Sequence, residues 1–332
     1  MARVLVAPAP FKGTLSAREA CAVIAHTLRA AGHDVIERPL PDGGEGTLDA
    51  LVEAWQLRTV EFVVPDVLGG CDPTPVAVGR GVVDGIDTAV VESALCLGLG
   101  LLPAARRDPE RASSASLGHL LAAVVADGAR RVFVALGGTA VVDGGAGLLQ
   151  VLPVLADDNG AVELVGLVDV DAPLRGPSGA RLYFAQKGLP AARHDAVEER
   201  LRALHPRFVD APGAGAAGGL GAAVLALGGS LRSGAALVLQ ATGVEDLVDG
   251  VDVIVGGEGR VDEQTLQGKS LARLRALARR HGVRIAVLCG ACDLPAPSVA
   301  DIVITLGPRG LVDPRAALGD AARALSTLLS VA

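Results

Sequence analysis

Val4-Leu5-Val6-Ala7, then Ser16-Ala17-Arg18-Glu19, then Val35-Ile36-Glu37-Arg38-Pro39-Leu40: these three stretches decide the fold. The first and third are short and apolar, as expected of strands covered on both faces in a parallel sheet. Between them Ser16 and Glu19 have the spacing of a capping box, in which each side chain satisfies the other residue's backbone N–H. Cys21, Ile24, Leu28 and Ala31 then fall on one helical face, and Gly32 supplies a residue that can end the helix. Strand, helix and strand in this order imply a right-handed crossover onto a parallel sheet.

Three further runs of the same kind occur near the other end, at Val251–Val255, Ile285–Leu288 and Ile302–Thr305. The middle reads differently. Thr59–Val64, Val76–Val78 and Thr88–Val91 are strand-like and spaced by Gly, Pro and Asp; a helix near 116–127 ends at Gly128, and the strand Val132–Leu136 follows. A chain of 332 residues has room for two domains. The expected fold is α/β with two α/β domains. A doubly wound, Rossmann-like parallel-sheet domain is made from both chain ends, 1–60 plus 250–332, and a second α/β domain is inserted at 61–249.

Composition removes several classes of function. Half of the residues are apolar, 20% are charged, 2% are aromatic and the net charge is −7. No Lys/Arg block offers the basic stripe that a nucleic-acid groove needs, so no nucleic-acid partner is expected. No apolar run reaches the ~18 residues of a membrane span, and the first residues lack a signal-peptide pattern, so a soluble, cytoplasmic chain without a membrane partner is expected. Cys21, Cys71, Cys96, Cys289 and Cys292 are odd in number, which argues against a disulfide framework. Cys289 and Cys292 form a C-x-x-C with no second ligand pair, and read as small buried residues at a strand end. The six histidines show no ligand spacing.

Glycine is the main clue to chemistry. Four clusters stand where a strand should hand over to a helix: Pro41–Thr47, Gly137–Gly147, Pro212–Gly221 and Gly256–Arg260. Glycine lets backbone approach an anion, and the helix that follows offers unpaired N–H groups and a positive dipole end. Four such clusters with Lys12, Lys187 and Lys269 nearby favour phosphate handling over plain turns. Asp42, Glu45, Asp143, Asp169, Asp171, Glu258 and Asp262 lie in or beside these loops, where acids hold Mg²⁺, take a proton from a hydroxyl, or cap helices. Period two in Val168-Asp169-Val170-Asp171-Ala172-Pro173 puts both acids on one face at the end of a strand. Two nucleotide signatures come up short. Gly268-Lys269-Ser270 resembles the tail of a Walker A loop, but Glu263 stands where its first glycine is required. Gly213 to Gly218 spells G-x-G-x-x-G without a clear strand before it or an acid ~20 residues on, so a Rossmann dinucleotide site is not expected.

In register, these segments resemble the bacterial glycerate kinase family. Ala7-Pro8-Ala9-Pro10-Phe11-Lys12-Gly13-Thr14-Leu15-Ser16 is similar to its opening APDSFKGSLS, and Asp42-Gly43-Gly44-Glu45-Gly46-Thr47 to its DGGEGT. Asp143–Gly147 matches the end of GGSATNDGGAG, Gln186-Lys187-Gly188 matches PQKG, and Gly213–Gly221 matches GAGAAGGLG. Gly257-Glu258-Gly259-Arg260-Val261-Asp262, with Gln264-Thr265, resembles GEGRLDxQT. The resemblance implies ATP-dependent phosphorylation of D-glycerate, commonly to 2-phosphoglycerate, and two α/β domains with the site in the cleft between them. Its partners would be a small hydroxy acid and a nucleotide, with ATP and Mg²⁺ as cofactors; a homodimer is a candidate assembly. On this reading Asp169 orients or deprotonates the attacking hydroxyl, and Lys12 and Lys187 neutralise the transferring phosphate. Gly213, Gly215, Gly218 and Gly219, with Gly257 and Glu258, are the nucleotide candidates. Asp143 and Glu258 are the Mg²⁺ candidates, and Asp42, Glu45, Asp171 and Arg260 those for substrate.

The departures from the family pattern share a direction. Ala9 and Pro10 replace Asp and Ser, Val141 and Val142 replace Thr and Asn, Ala172 replaces Asn, Gly256 replaces Thr, and Leu97 and Leu117 stand at polar loop positions. Each lost partner of a buried polar group costs about 1–3 kcal/mol. A second reading is therefore a non-catalytic paralogue that binds a small anionic ligand or nucleotide. A third, a dinucleotide-dependent oxidoreductase, rests on Gly213–Gly218 alone.

Overall fold

The strands, in chain order, are β1 (Arg3–Val6), β2 (Asp34–Glu37), β3 (Arg58–Val64), β4 (Thr74–Val83), β5 (Ile86–Glu92), β6 (Arg131–Ala135), β7 (Ala156–Asp157), β8 (Gly160–Ala161), β9 (Glu163–Leu167), β10 (Ser230–Arg232), β11 (Val253–Val261), β12 (Arg284–Cys292) and β13 (Ile302–Thr305). The structure is a computed structural model that describes residues 1–68, 73–103, 107–154, 156–157, 160–266 and 269–331. Cys71 and Gly268 lie outside the described residues.

The terminal domain comprises residues 1–42 and 235–332. Its sheet runs β13-β12-β11-β1-β2, with every neighbouring pair parallel. This is a doubly wound order whose direction of winding reverses between β1 and β11, and ligands of such sheets bind outside the strand carboxyl ends at that reversal. The capping box at the first helix, Ala17–Ala30, is formed: the Glu19 N–H donates to Ser16 Oγ at 3.2 Å and the Ser16 N–H to Glu19 Oε2 at 2.9 Å. Gly32 follows the helix with φ +88°. Ala20, Cys21, Ile24 and Leu28 share an apolar cluster with Val4 and Val6 of β1 and with Leu318, Ala322 and Leu325 of the last helix. Both ends of the chain therefore close one core.

The inserted domain comprises residues 43–234. Its sheet runs β10-β9-β6-β5-β4-β3, parallel from β10 to β5 and antiparallel from β5 to β3. Val132 and Val134 of β6 pack in one cluster with Leu117, Leu120, Leu121 and Val124 of the helix Ala115–Ala126. Phe133, between them, points to the other face, where its ring lies 5.3 Å from that of Trp55. Alternation along one strand thus serves two cores.

The boundaries fall at 42/43 and 234/235 rather than at 60/61 and 249/250. The helix Thr47–Trp55 packs on β4 and β5, and β3 pairs with β4, so the stretch 43–60 belongs to the inserted domain. At the other crossing, the helix Val244–Val248 packs on the helix Ser270–His281 of the terminal domain. No helix of the described residues is long and apolar enough to cross a membrane.

Replacing Ser16 by Ala removes the reciprocal cap and is expected to cost about 1 kcal/mol, whereas Ser16→Asp retains an acceptor and costs only tenths. Urea midpoints of the two variants check this.

Candidate functional site

At the carboxyl end of β1 the chain continues beside β11: the Ala7 N–H donates to the Val255 carbonyl and the Ala9 N–H to the Gly257 carbonyl, both at 2.8 Å. A tight turn closed by the Phe11–Leu15 bridge then carries Lys12. The Lys12 ammonium is exposed and lies 3.4 Å from Asp42, which sits in the loop after β2. Glu258 faces the same group from β11. Burial pushes its carboxyl up to about 7; a hydrogen bond from Thr265 and the charge of Lys269 oppose this, and Asp42 and Asp262 add to it. Glu258 Oε1 is buried and has no hydrogen-bond partner among the described residues. Lys12, Asp42 and Glu258 are thus gathered at the reversal point of the sheet. Arg260 is exposed and paired with Asp293 at 2.7 Å.

The run Gly256–Arg260 is strand, not turn, which corrects the reading of a fourth glycine loop. β11 continues through it, with Gly256 beside Val287, Gly257 beside Leu288 and Glu258 beside Cys289. The glycines are explained by close packing. A Cβ on Gly257 would meet the Leu288 carbonyl at 2.6 Å and the Phe11 ring at 3.3 Å, and one on Gly256 would meet Leu271 at 2.8 Å.

In the inserted domain three of the other motifs converge. The Asp143 carboxylate accepts from the Ser114 N–H (2.9 Å), the Ser114 hydroxyl (2.7 Å), the Gly145 N–H (3.0 Å) and the Gly147 N–H (3.2 Å). It caps the helix Ala146–Val151, and a metal ion would have to displace those donors. Lys187 is buried, and its amine donates to the Thr139 carbonyl at 2.5 Å and the Thr139 hydroxyl at 3.1 Å. Burial lowers its pKa to about 7 against the opposing pull of Asp143. His205 is also buried, with Nε2 2.6 Å from the Gly144 carbonyl.

The glycines of Gly213–Gly221 are spent on backbone contact. Gly215 faces the Pro173 carbonyl and Gly218 the Val141 carbonyl, each 2.1 Å from where a Cβ would stand, while Gly219 faces Gly144 Cα at 2.8 Å. Gly213 meets Leu231 at 3.0 Å on the same measure, and all four are buried. Ala217, Gly218 and Gly219 are consecutive left-handed residues, with φ of 53°, 69° and 95°.

Asp169 accepts a hydrogen bond from the Ser233 hydroxyl at 2.5 Å, and its other oxygen would lie 3.2 Å from a Cβ on Gly43 or on Gly234. Asp171 is exposed. Strand periodicity does not pair these acids, because β9 ends at Leu167 and both lie beyond it. Glu45 is exposed, in the loop that Glu92 holds. Glu92, missed in the sequence, ends β5 and accepts from the Gly46 N–H at 3.0 Å and the Leu48 N–H at 3.2 Å, capping a helix whose own N-cap is a left-handed glycine. Burial pushes the Glu92 carboxyl up to about 7; the two amides oppose this, and Glu45 and Asp49 add to it.

The residues that depart from the family pattern are interior. Leu97, Leu117 and Val141 lie in one apolar cluster and Val142 in another with Leu174, Phe184 and Leu201, all at most 1% exposed. Ala9 and Ala172 are buried as well.

The glycerate kinase family profile matches residues 4–165 and 154–329. The chain belongs to this family. It is 35% identical to a glycerate kinase of Bacillus subtilis (strain 168), over 87% of this chain and 85% of the relative. It is 33% identical to a glycerate 2-kinase of Escherichia coli (strain K12), over 84% and 82%. A crystal structure from Salmonella typhimurium LT2, provisionally named glycerate kinase 2, superposes with a TM-score of 0.75 at 28% identity and covers 99% of this chain and 98% of its own.

Two outcomes follow from this geometry. Gly218→Ala meets both a left-handed φ and a carbonyl 2.1 Å away, so it is expected to cost several times more than Gly85→Ala, where φ is +76° and nothing stands within 4 Å. The control should lose about 1–2 kcal/mol by thermal unfolding. For Glu92, a folded pKa of about 7 against an ordinary 4.5 means that the unfolded chain releases the proton first. Stability is then highest below pH 4.5 and falls as the pH climbs to 7, by about 3 kcal/mol from this group. Glu92→Gln accepts the same two amides without ionising; urea midpoints between pH 4.5 and 7.5 should show a flatter decline, leaving the part that Glu258 contributes.

Proposed function

We propose that this chain is an ATP-dependent kinase that phosphorylates glycerate, giving 2-phosphoglycerate, or a closely related small hydroxy acid. The observation that carries the reading is the group Lys12, Asp42 and Glu258 at the reversal point of the terminal sheet. Its setting supports it: relatives of similar length at 33–35% identity are named glycerate kinases.

Phosphoryl transfer is mostly positioning and charge neutralisation, so exposed cations and carboxylates at strand ends are the parts it needs. Lys12 supplies an exposed positive charge for the transferring phosphate. Among the described residues no three His, Cys, Asp or Glu side chains cluster as a metal site. Mg²⁺ in kinases needs only one or two carboxylates beside water and phosphate, and the partnerless buried oxygen of Glu258 near Asp42 fits that demand. Bound there, Mg²⁺ would neutralise charge on the phosphates. Asp169, oriented by Ser233, accepts the proton of the attacking hydroxyl. Glu45, Asp171 and Arg260, exposed at loop or strand ends, are substrate contacts in this proposal. Lys187 acts on the reaction through Thr139, by fixing the loop after β6.

A second reading, a paralogue that binds without turnover, is favoured by one observation: Val141, Val142, Leu97 and Leu117 present apolar side chains to the interior where the family has polar ones. A coupled ADP-release assay over glycerate and related hydroxy acids separates the two. Turnover is expected, with Lys12→Ala lowering kcat/KM by about a hundredfold. Binding of ATP or glycerate in a thermal-shift assay without any turnover would establish the paralogue instead.

A further inference from the structure

We propose that the start of the helix Ser270–His281, together with the side chains of Lys269 and Ser270, binds the terminal phosphates of a nucleoside polyphosphate as its Mg²⁺ complex. The proposal deepens the kinase reading and rests on it for the identity of the nucleotide.

The helix has 12 residues, and the side chain of its N-cap, Lys269, makes no capping bond. The first-turn N–H groups of an α-helix have no intrahelical partner and form the positive end of its dipole. The last turn carries Arg279, Arg280 and His281, which answer the negative end, yet no acid stands in the first turn to answer the positive one. Ser270, the first helical residue, is 2% exposed, and its hydroxyl has no hydrogen-bond partner among the described residues. A buried hydroxyl without a partner costs stability, and it persists where a ligand supplies the missing bond.

The placement agrees with this. The helix follows β11, one of the two strands at the reversal of the sheet, and Leu271 packs under Gly256 of that strand. The half-buried Lys269 is near enough for its charge to act on Glu258. Lys-Ser at a helix start repeats the chemistry of a Walker A tail, where the lysine reaches the outer phosphates and the hydroxyl serves the metal. The glycine loop that normally precedes it is missing, so the cradle here consists of the helix start and two side chains. Asp42, Glu258 and Asp262 act on the same neighbourhood and would repel a bare phosphate. Binding should therefore require the divalent cation.

The test is calorimetric titration of the full-length protein with ADP, with and without Mg²⁺, for wild type, Ser270→Ala and Lys269→Ala, alongside melting temperatures without ligand. Wild type should bind MgADP and bind ADP alone at least tenfold more weakly. Lys269→Ala should raise the MgADP Kd by about tenfold or more, the equivalent of one charge-assisted bond. Ser270→Ala should raise that Kd as well while melting no lower than wild type, since the variant removes a hydroxyl that nothing satisfies. An unchanged Kd in both variants overturns the proposal, as does wild type that fails to bind MgADP, or a Ser270→Ala that melts lower with its affinity intact. Turnover of glycerate with both Kd values unmoved would sink this site and leave the kinase reading standing. Variant-sensitive MgADP binding without turnover of any hydroxy acid would do the reverse.

Discussion

The hydrogen bond from the Gly144 N–H to the Gly218 carbonyl, 3.0 Å long, forces two loops of the inserted domain to meet backbone to backbone. Such an approach leaves no room for a Cβ, and the consecutive left-handed residues Ala217, Gly218 and Gly219 are how the chain makes the turn. Once the loops touch, their polar side chains are committed. Asp143 takes the amides of Ser114, Gly145 and Gly147, His205 sits against the Gly144 carbonyl and Lys187 anchors Thr139. The glycines most suggestive of a phosphate cradle therefore build a shelf of backbone, and Asp143 and Lys187, read in the sequence as a Mg²⁺ candidate and a cation for the phosphate, bond to its loops.

The fold was legible because its ends use unambiguous signals. Short apolar runs, a reciprocal Ser16–Glu19 cap and a glycine stop specify strands and a crossover helix without help from tertiary structure. Lys12, Asp42 and Glu258 stand out in the sequence as charged residues beside glycine in strand-end segments, and the fold brings them near one another. What sequence could not convey is what a glycine approaches. Gly257 looked like a turn and is a strand residue under the Phe11 ring; Gly215 looked like a phosphate contact and meets the Pro173 carbonyl. Glu92 gave no local signal, because the amides it accepts from lie 46 and 44 residues away. The domain crossings were misplaced for a related reason: the helix Thr47–Trp55 has an apolar face, and only the pairing of β3 with β4 shows which core it covers.

The apolar replacements at positions 97, 117, 141 and 142 have a physical consequence of their own. Each side chain lies in a packed cluster, where burial adds stability in place of a hydrogen bond that would need a partner. The close approaches of the shelf do not depend on these side chains, since Gly215, Gly218 and Gly219 answer to carbonyls and a Cα atom.

Satisfaction of polar groups separates structural from ligand-binding chemistry here. Asp143 is fully bonded without any ligand, and Glu92 already carries two amides; neither has much to offer a reactant. Thr47, whose hydroxyl is buried without a partner among the described residues, stands next to amides that Glu92 has taken. Glu258 and Ser270 also leave a buried oxygen unanswered, and unlike Thr47 they belong to the terminal domain, one on β11 and the other at the start of the next long helix. Desolvating two such groups on one strand–helix unit is costly unless something bound there completes their bonds. On the proposed reading, a ligand at the reversal point of the terminal sheet would bring a cation for the Glu258 carboxyl and an oxygen for the Ser270 hydroxyl.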